Sequence, residues 1–249
     1  MNYLVGDIGN TSIKISILND KFDIKKSYSI VTINIYKKKN IHVFFKKILN
    51  KNLNTKVLFS SVVPKAYNII KNYLKKKKYQ SVEIKNLNIK KILKINIKNF
   101  NQLGSDRIVN AIGSGNIKNC LIIDFGTATT FDIVKNGIYD GGVIAPGVDL
   151  SIINLYKYTA MLPLLNLKNK QESYGKNTKE ALNAGFLWGY EGLVNNIINK
   201  IIIKSKNNYK IILTGGYAKT FKKFITNKTI IDQNITIKGI AKVYKELLI

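Results

Sequence analysis

Two stretches more than a hundred residues apart carry the same set of groups. YLVGDIGNTSIKISIL (3–18) holds Asp7, Gly9, Asn10 and Thr11, and CLIIDFGTATTFDIV (120–134) holds Asp124, Gly126, Thr127 and Thr129. An aspartate, a glycine two places on and hydroxyls close by suit the phosphates of a nucleotide. Glycine lets the backbone approach phosphate oxygens, exposed N–H groups and hydroxyls donate to them, and the carboxylate holds a cation or its waters. One such turn is weak evidence, since Asp-x-Gly turns are common in hairpins that bind nothing. Two of them, with LTGGYA (213–218) as a loop for the purine side, point to a nucleotide.

Transfer of a phosphoryl group to a hydroxyl also needs a group that accepts or orients the hydroxyl proton. Acidic residues total only 14, and Asp106, in GSDRIVNAIG (104–113), is the best placed of them, beside a glycine at the start of a helical pattern. A structural role suits the same position, because Ser105 or Asp106 would each cap a helix that begins near Arg107. Arg107 is the only arginine among 41 Lys and Arg residues. A guanidinium is a planar fork that grips a carboxylate or phosphate at two points, which an ammonium cannot do. Its partner is either a substrate anion or a protein acid such as Asp106.

The elements that must position these groups alternate in type. Each of the two stretches reads as strand, tight turn, strand. NIHVFFKKIL (40–49) and AYNIIKNYLKK (66–76) have helical spacing, and KVLFSSVVP (56–64) reads as a buried strand leaving through Pro64. YDGGVIAPGVDLSI (139–152) gathers Gly141, Gly142, Pro146 and Gly147 into an expected loop before a helix. A long helical pattern follows from 178 to 203, with Gly185, Gly189 and Gly192 close to one side, and YKIILTGGYAKTF (209–221) reads as strand, Gly-Gly turn, helix. Strands alternating with helices predict an α/β fold with mixed sheets. The repeated turn predicts two related lobes, 1–115 and 116–249, although no flexible linker marks a boundary.

Composition narrows the function classes. With 249 residues the chain has room for two lobes with cores of their own. A net charge of +27 raises the possibility of a nucleic-acid partner. The lysine runs at 36–39 and 75–78 are scattered, however, and no nucleic-acid motif accompanies them, so a solvated surface produced by composition drift is the preferred reading. A single cysteine, Cys120, excludes an internal disulfide, and one Cys with one His builds no metal cluster. The N-terminus turns polar at Gly6 and Asp7, too early for a signal peptide or a membrane span, so a cytoplasmic protein without a membrane partner is expected. Trp188 is expected in core or interface packing, and His42 is given no role.

In their order and spacing, DIGNTSIK (7–14), GSDR (104–107), DFGTATT (124–130), GGVIAPG (141–147), GKNTKEALNAG (175–185) and LTGGYA resemble the type III pantothenate kinases, over residues 3 to about 218. The resemblance implies two lobes of the ribonuclease H-like/actin-like ATPase type. It also implies ATP-dependent phosphorylation of pantothenate to 4′-phosphopantothenate, the first step of coenzyme A biosynthesis, in a homodimer whose substrate site is near the subunit interface. Mg²⁺ and a monovalent cation, K⁺ or NH₄⁺, are implied as cofactors beside ATP.

By the same resemblance, Asp7, Ile8, Gly9, Asn10, Thr11, Ser12, Ile13 and Lys14 form the first ATP phosphate loop, and Thr127 contacts ATP. Gly104, Ser105, Asp106 and Arg107 bind pantothenate, with Asp106 as proton acceptor, and Thr178 lines that site. Asp124 ligates the monovalent cation. Ile97 and Phe100 stand where the family usually has a tyrosine and a proline, and Ser105 replaces a common alanine. Two other functions share the fold: a non-catalytic nucleic-acid-binding or transcription accessory protein, and a kinase for another small hydroxyl substrate.

Overall fold

In the computed structural model, which describes residues 1–49, 52–170 and 172–249, the chain divides into two α/β units. The first starts with β1 (Asn2–Ile8), β2 (Ser12–Leu18) and β3 (Ile24–Val31), antiparallel neighbours in turn. β4 (Leu53–Ser61) and β5 (Gln80–Glu83) then add in parallel beside β1, giving the order β3-β2-β1-β4-β5. Alternation along the strands sends Leu4, Ile8, Ile13, Ile15 and Phe59 into one core. There they meet α1 (Lys38–Lys46) through Ile41, Phe44 and Phe45, and α2 (Pro64–Lys76) through Ala66, Ile70 and Leu74, at the three- and four-residue spacing of a helix face. Pro64 opens α2, where its missing N–H has no intrahelical partner to lose. A short strand β6 (Lys94–Ile95) and α3 (Ser105–Gly113) follow.

The second unit repeats this plan. β7 (Cys120–Phe125) and β8 (Ala128–Lys135) form the antiparallel hairpin, and β9 (Ile138–Pro146) lies beyond β8. On the other side β10 (Lys210–Gly215) and β11 (Thr229–Ile231) add in parallel beside β7, and β6 pairs in parallel with the start of β9, so that the five strands from β7 to β11 lie in the order β9-β8-β7-β10-β11. The order matches that of the first unit strand for strand, so the repeated turn does mark two related lobes. α4 (Val148–Lys157), α5 (Thr178–Ser205) and α6 (Ala218–Lys222) contribute Ile152, Leu187, Val194, Ile198 and Phe221 to the core over this sheet. Asn177 caps α5 by accepting the Glu180 N–H at 3.0 Å, while Glu180 accepts the Lys176 N–H at 3.0 Å. The long helix therefore begins at the threonine expected.

Two features depart from the sequence reading. Residues 141–146, expected as loop, are the second half of β9: Val143, Ile144 and Ala145 suit a strand, Gly141 takes φ 101°, and Pro146 falls at the strand's last position. After β11 the chain also returns. Gly137–Tyr139 and Asn234–Ile249, with α7 (Ile235–Leu247), fold with the first unit. The apolar face of α7, Ile237, Ile240, Val243 and Tyr244, is buried there, and the helix packs on α3. At the crossing a Cβ on Gly239 would stand 1.9 Å from the Val109 carbonyl oxygen, so the two backbones touch. Gly239→Ala is expected to lower the unfolding free energy by about 1–3 kcal/mol, because overpacked backbone cannot rotate away. Chemical denaturation with an unchanged midpoint would contradict this packing.

Among the described residues no helix is long and apolar enough to cross a membrane, and no group of three His, Cys, Asp or Glu residues gathers to hold a metal.

Candidate functional site

β1, β4 and β5 run parallel and end on one edge of the first sheet, the edge at which open α/β sheets hold ligands. Asp7 stands one residue before the end of β1, in register with Lys14 on β2 and Ser60 on β4, so the three side chains share a face. Beyond it, Asn10, Thr11 and Ser12 are exposed at the hairpin tip, which the Gly9 N–H closes by donating to the Ser12 carbonyl at 3.0 Å. Thr32, buried just past β3, holds this tip. Its hydroxyl donates to the Gly9 carbonyl at 2.7 Å, and its N–H to the Thr11 carbonyl at 2.9 Å. Ile8 and Ile13 bury their side chains in the core, so they can meet a phosphate only through the main chain. Lys14 Nζ donates to Asn234 Oδ1 at 2.8 Å, at the start of α7.

β4 links this hairpin to the GSDR turn. The Val62 N–H donates to the Ile8 carbonyl at 3.1 Å, and the Ser61 carbonyl is within 3.3 Å of the Ser105 hydroxyl. Asp7 to Lys14 and Gly104 to Arg107 are therefore assembled at the same edge of one unit. α3 is capped by Gly104 with no side-chain hydrogen bond, so neither Ser105 nor Asp106 is the capping residue. The Asp106 carboxylate folds back over Gly104, where a Cβ would stand 2.4 Å from Oδ1, and accepts the Arg107 N–H at 2.8 Å. Burial pushes the Asp106 carboxyl above its ordinary value, and the N–H and charge of Arg107 and the charge of Lys85 only partly oppose it. A carboxylate held this way takes a proton more readily than one in water.

In the second unit, Asp124 stands one residue before the end of β7, as Asp7 does on β1. Three turns meet around it. Gly126 N–H donates to the Ala128 carbonyl at 3.1 Å, closing the hairpin whose exposed tip includes Thr127. Gly147, before α4, lies so close that a Cβ would be 2.0 Å from the Thr127 carbonyl oxygen. Gly215 has φ 84°, a Cβ there would be 2.6 Å from Asp124 Oδ1, and the next N–H, of Gly216, donates to the Phe125 carbonyl at 3.0 Å. The Gly-Gly turn read from LTGGYA is thus drawn against the second aspartate. Tyr217, just after it, donates its hydroxyl to Asp149 on α4.

Thr178 belongs to a different feature. It is exposed at the first turn of α5 and lines an apolar pocket of about 620 Å³ with Pro146, Ser151, Gly185, Gly189 and Tyr190. Ser151 and Tyr190 share a hydrogen bond of 2.8 Å at this pocket. Trp188 is 44% exposed and so is not core packing, and exposed His42 meets the Tyr73 hydroxyl at 3.3 Å through Nδ1.

Oxygen-rich corners suit the cations that phosphate chemistry uses. In the first unit the Ser60 hydroxyl is buried with no hydrogen-bond partner among the described residues, on the strand beside Asp7, which fits Mg²⁺ and its waters. In the second, Gly215 leaves the Asp124 carboxylate a space that any side chain would fill, which fits a monovalent cation.

The sequence reading missed Thr32, Ser60 and Glu83. Glu83 accepts the Ser105 hydroxyl at 2.6 Å on Oε1 and the Lys85 N–H at 2.6 Å on Oε2. Its signal was its scarcity: it is one of five glutamates in a lysine-rich chain. Thr32 and Ser60 carry no comparable signal, because serine and threonine are ordinary in strands and turns.

Similarity to known proteins bears on the fold and the family. A solved activator of the 2-hydroxyisocaproyl-CoA dehydratase from Clostridium difficile, with bound ADPNP, superposes with a TM-score of 0.52 at 12% identity, over 97% of this chain and 92% of that one, a likeness of fold. A type III pantothenate kinase of Pelagibacter ubique is 46% identical over 96% of this chain and 97% of its own length. One from Sulfurihydrogenibium is 36% identical over 95% and 97%. The family model for type III pantothenate kinase matches residues 3–200, and with it the Asp7, Asp106 and Asp124 turns fall inside a single matched span: the chain belongs to the type III pantothenate kinase family.

Proposed function

We propose that Asp106 accepts the proton of the pantothenate hydroxyl as it takes the terminal phosphoryl group of ATP, giving 4′-phosphopantothenate. The reaction is that of the family, pantothenate phosphorylation in coenzyme A biosynthesis. The observation that carries the residue assignment is the Asp106 carboxyl itself, raised by burial and held at the sheet edge that also carries the Asp7 hairpin.

Arg107 grips the pantothenate carboxylate, with Gly104 and Ser105 forming the turn around it; Thr178, at the separate apolar pocket, is assigned to the pantothenate site on the family resemblance alone. Asp7 to Lys14 form the ATP phosphate loop, in which the exposed Asn10, Thr11 and Ser12 donate to phosphate oxygens, Lys14 offsets their charge, and Thr127 adds a hydroxyl. Asp7 and Ser60 would hold Mg²⁺ through oxygen, and Asp124 would hold K⁺ or NH₄⁺. Bound there, the two cations supply positive charge that offsets the charge on the phosphates. The lobes are taken as residues 1–115 and 116–249 along the chain, except that Gly137–Tyr139 and the C-terminal segment carrying α7 fold with the first.

The test is a coupled assay of ATP turnover across a panel of hydroxyl substrates. Stimulation by pantothenate alone, in potassium and not in a buffer whose only monovalent cation is a bulky organic ion, is the expected result. Turnover stimulated by another hydroxyl compound would replace the substrate. Equal rates in both buffers would remove the monovalent cation from Asp124. Binding to nucleic acid that weakens steeply with salt, without turnover, would favour the accessory-protein reading.

A homodimer in the cytoplasm completes this reading. The second unit exposes Tyr158 by 75%, Met161 by 90% and Trp188 by 44%, close in sequence to Leu155, Leu162 and Gly189 of the apolar pocket. Such a face suits a protein–protein interface. On α5, a Cβ at Gly185, Gly189 or Gly192 would meet nothing within 4 Å, which leaves room for a partner helix to approach. Light scattering at micromolar concentration should give a dimer mass, and Gly189→Phe should give a folded monomer with little activity. A fully active wild-type monomer would refute the dimeric site.

A further inference from the structure

Glu83 closes β5 at the sheet edge where β1 and β4 also end, and it has no place in the roles assigned above. Its two carboxylate oxygens are used separately. Oε1 accepts the hydroxyl of buried Ser105, the first residue of α3, and Oε2 accepts the Lys85 N–H, each at 2.6 Å. Charge-assisted bonds of this length are among the strong ones. Lys85 in turn reaches with Nζ to the Asn101 carbonyl at 3.0 Å, in the segment that leads into Gly104. One acid thus ties the end of a strand, the approach to the GSDR turn and the helix start together. Burial, with Glu83's charge as the second cause, also pushes the hydroxyl of nearby Tyr67 up to about 12, so Tyr67 stays a neutral neighbour.

We propose that Glu83 is a positioning residue for the phosphoryl transfer, fixing the first turn of α3 through Ser105 and Lys85 so that Asp106 and Arg107 keep their aim. It touches no substrate and acts through the residues that do. The inference rests on the assignment of Asp106 and Arg107 made above. A hydroxyl has one proton, and at 2.6 Å from a carboxylate against 3.3 Å from the Ser61 carbonyl it goes to Glu83. If Glu83 becomes glutamine, the amide oxygen can still accept the Lys85 N–H. The amide NH₂ can donate to Ser105, whose proton then turns to Ser61. Glu83→Asp keeps the charge but is one methylene short of this reach.

The experiment measures kcat and KM for both substrates, with the thermal midpoint, in the full-length wild type and in Glu83→Ala, Glu83→Gln and Glu83→Asp. Wild-type turnover that does not depend on pantothenate would fail the functional reading whatever Glu83 does. Given an active wild type, Glu83→Ala should lose roughly 10- to 100-fold in kcat/KM for pantothenate with KM for ATP unchanged, as misplacement of reacting groups does. Glu83→Gln should recover to within about threefold and Glu83→Asp should not, since bonds rather than charge set the geometry. Wild-type kinetics in Glu83→Ala, with or without a lower thermal midpoint, overturns the proposal. Should Glu83→Ala fail to fold, the other two decide: an active aspartate variant beside an impaired glutamine variant overturns it equally.

Discussion

Asp106→Asn should lower kcat by about 100-fold or more while making the folded protein more stable at neutral pH. The first half follows from general base chemistry, because asparagine keeps the shape of the side chain but cannot take the hydroxyl proton. Its Oδ1 can still accept the Arg107 N–H that Asp106 accepts at 2.8 Å, so the start of α3 is preserved. The second half follows from the direction of the pKa shift. Burial raises the Asp106 carboxyl above its value in the unfolded chain, and the opposing attractions to Arg107 and Lys85 do not make up the difference. A carboxyl with a raised folded pKa destabilises the fold wherever it must be ionised, so the penalty is present above the folded pKa and vanishes below the unfolded one. The stability gain of Asp106→Asn should therefore be full at pH 7 and shrink as pH falls through the carboxylate range. Urea denaturation at pH 7 and again near pH 4 checks this. The same shift places the acid limb of kcat/KM for pantothenate above the ordinary carboxylate value of about 4. Loss of activity without any gain in stability would mean that Asp106 is not held at an energetic cost, and its role as the proton acceptor would lose its main physical support.

The hairpins were legible in the sequence because their chemistry is local. Asp7, Gly9 and Thr11 fall within five consecutive residues, and a turn that must approach phosphate has few ways to be written. Helices α1, α2 and α5 were legible because their apolar faces recur within a single window. What was not legible is held by long-range contacts. α7 looks like any amphipathic helix, and long-range contacts such as the approach of Gly239 to Val109 say which unit it joins. The 141–146 segment has the glycines and proline of a loop but is strand, because pairing in the sheet outweighs the local signal. Glu83 lies 22 residues from Ser105 and 23 from Asp106, so no spacing rule connects them. The capping question at Ser105 and Asp106 was likewise open, since both types cap well, and the structure answers it by starting α3 at Ser105 with extended Gly104 as the cap.

Arg107→Lys should leave kcat within a few-fold and cost on the order of 1 to 3 kcal/mol, roughly 5- to 150-fold, in kcat/KM for pantothenate. In a chain where every other basic position is lysine, the one arginine is expected to do something lysine cannot. Arg107 follows Asp106 in the first turn of α3 and is half-buried, and its charge acts on the carboxylate proposed to take the proton. Two jobs are open to it there. It can grip the pantothenate carboxylate at two points, or it can act on Asp106, whose carboxyl its charge already pulls down. Lysine keeps the charge and loses the planar fork. If the fork matters, KM for pantothenate rises, KM for ATP stays, and the acid limb of the pH profile does not move. If only the charge on Asp106 matters, lysine should be nearly as good as arginine, while Arg107→Gln should move the acid limb upward, because removing a positive neighbour raises a carboxyl further. Wild-type behaviour of Arg107→Lys toward both substrates would remove the carboxylate contact from this site and leave Asp106 as the only member of GSDR with a chemical role.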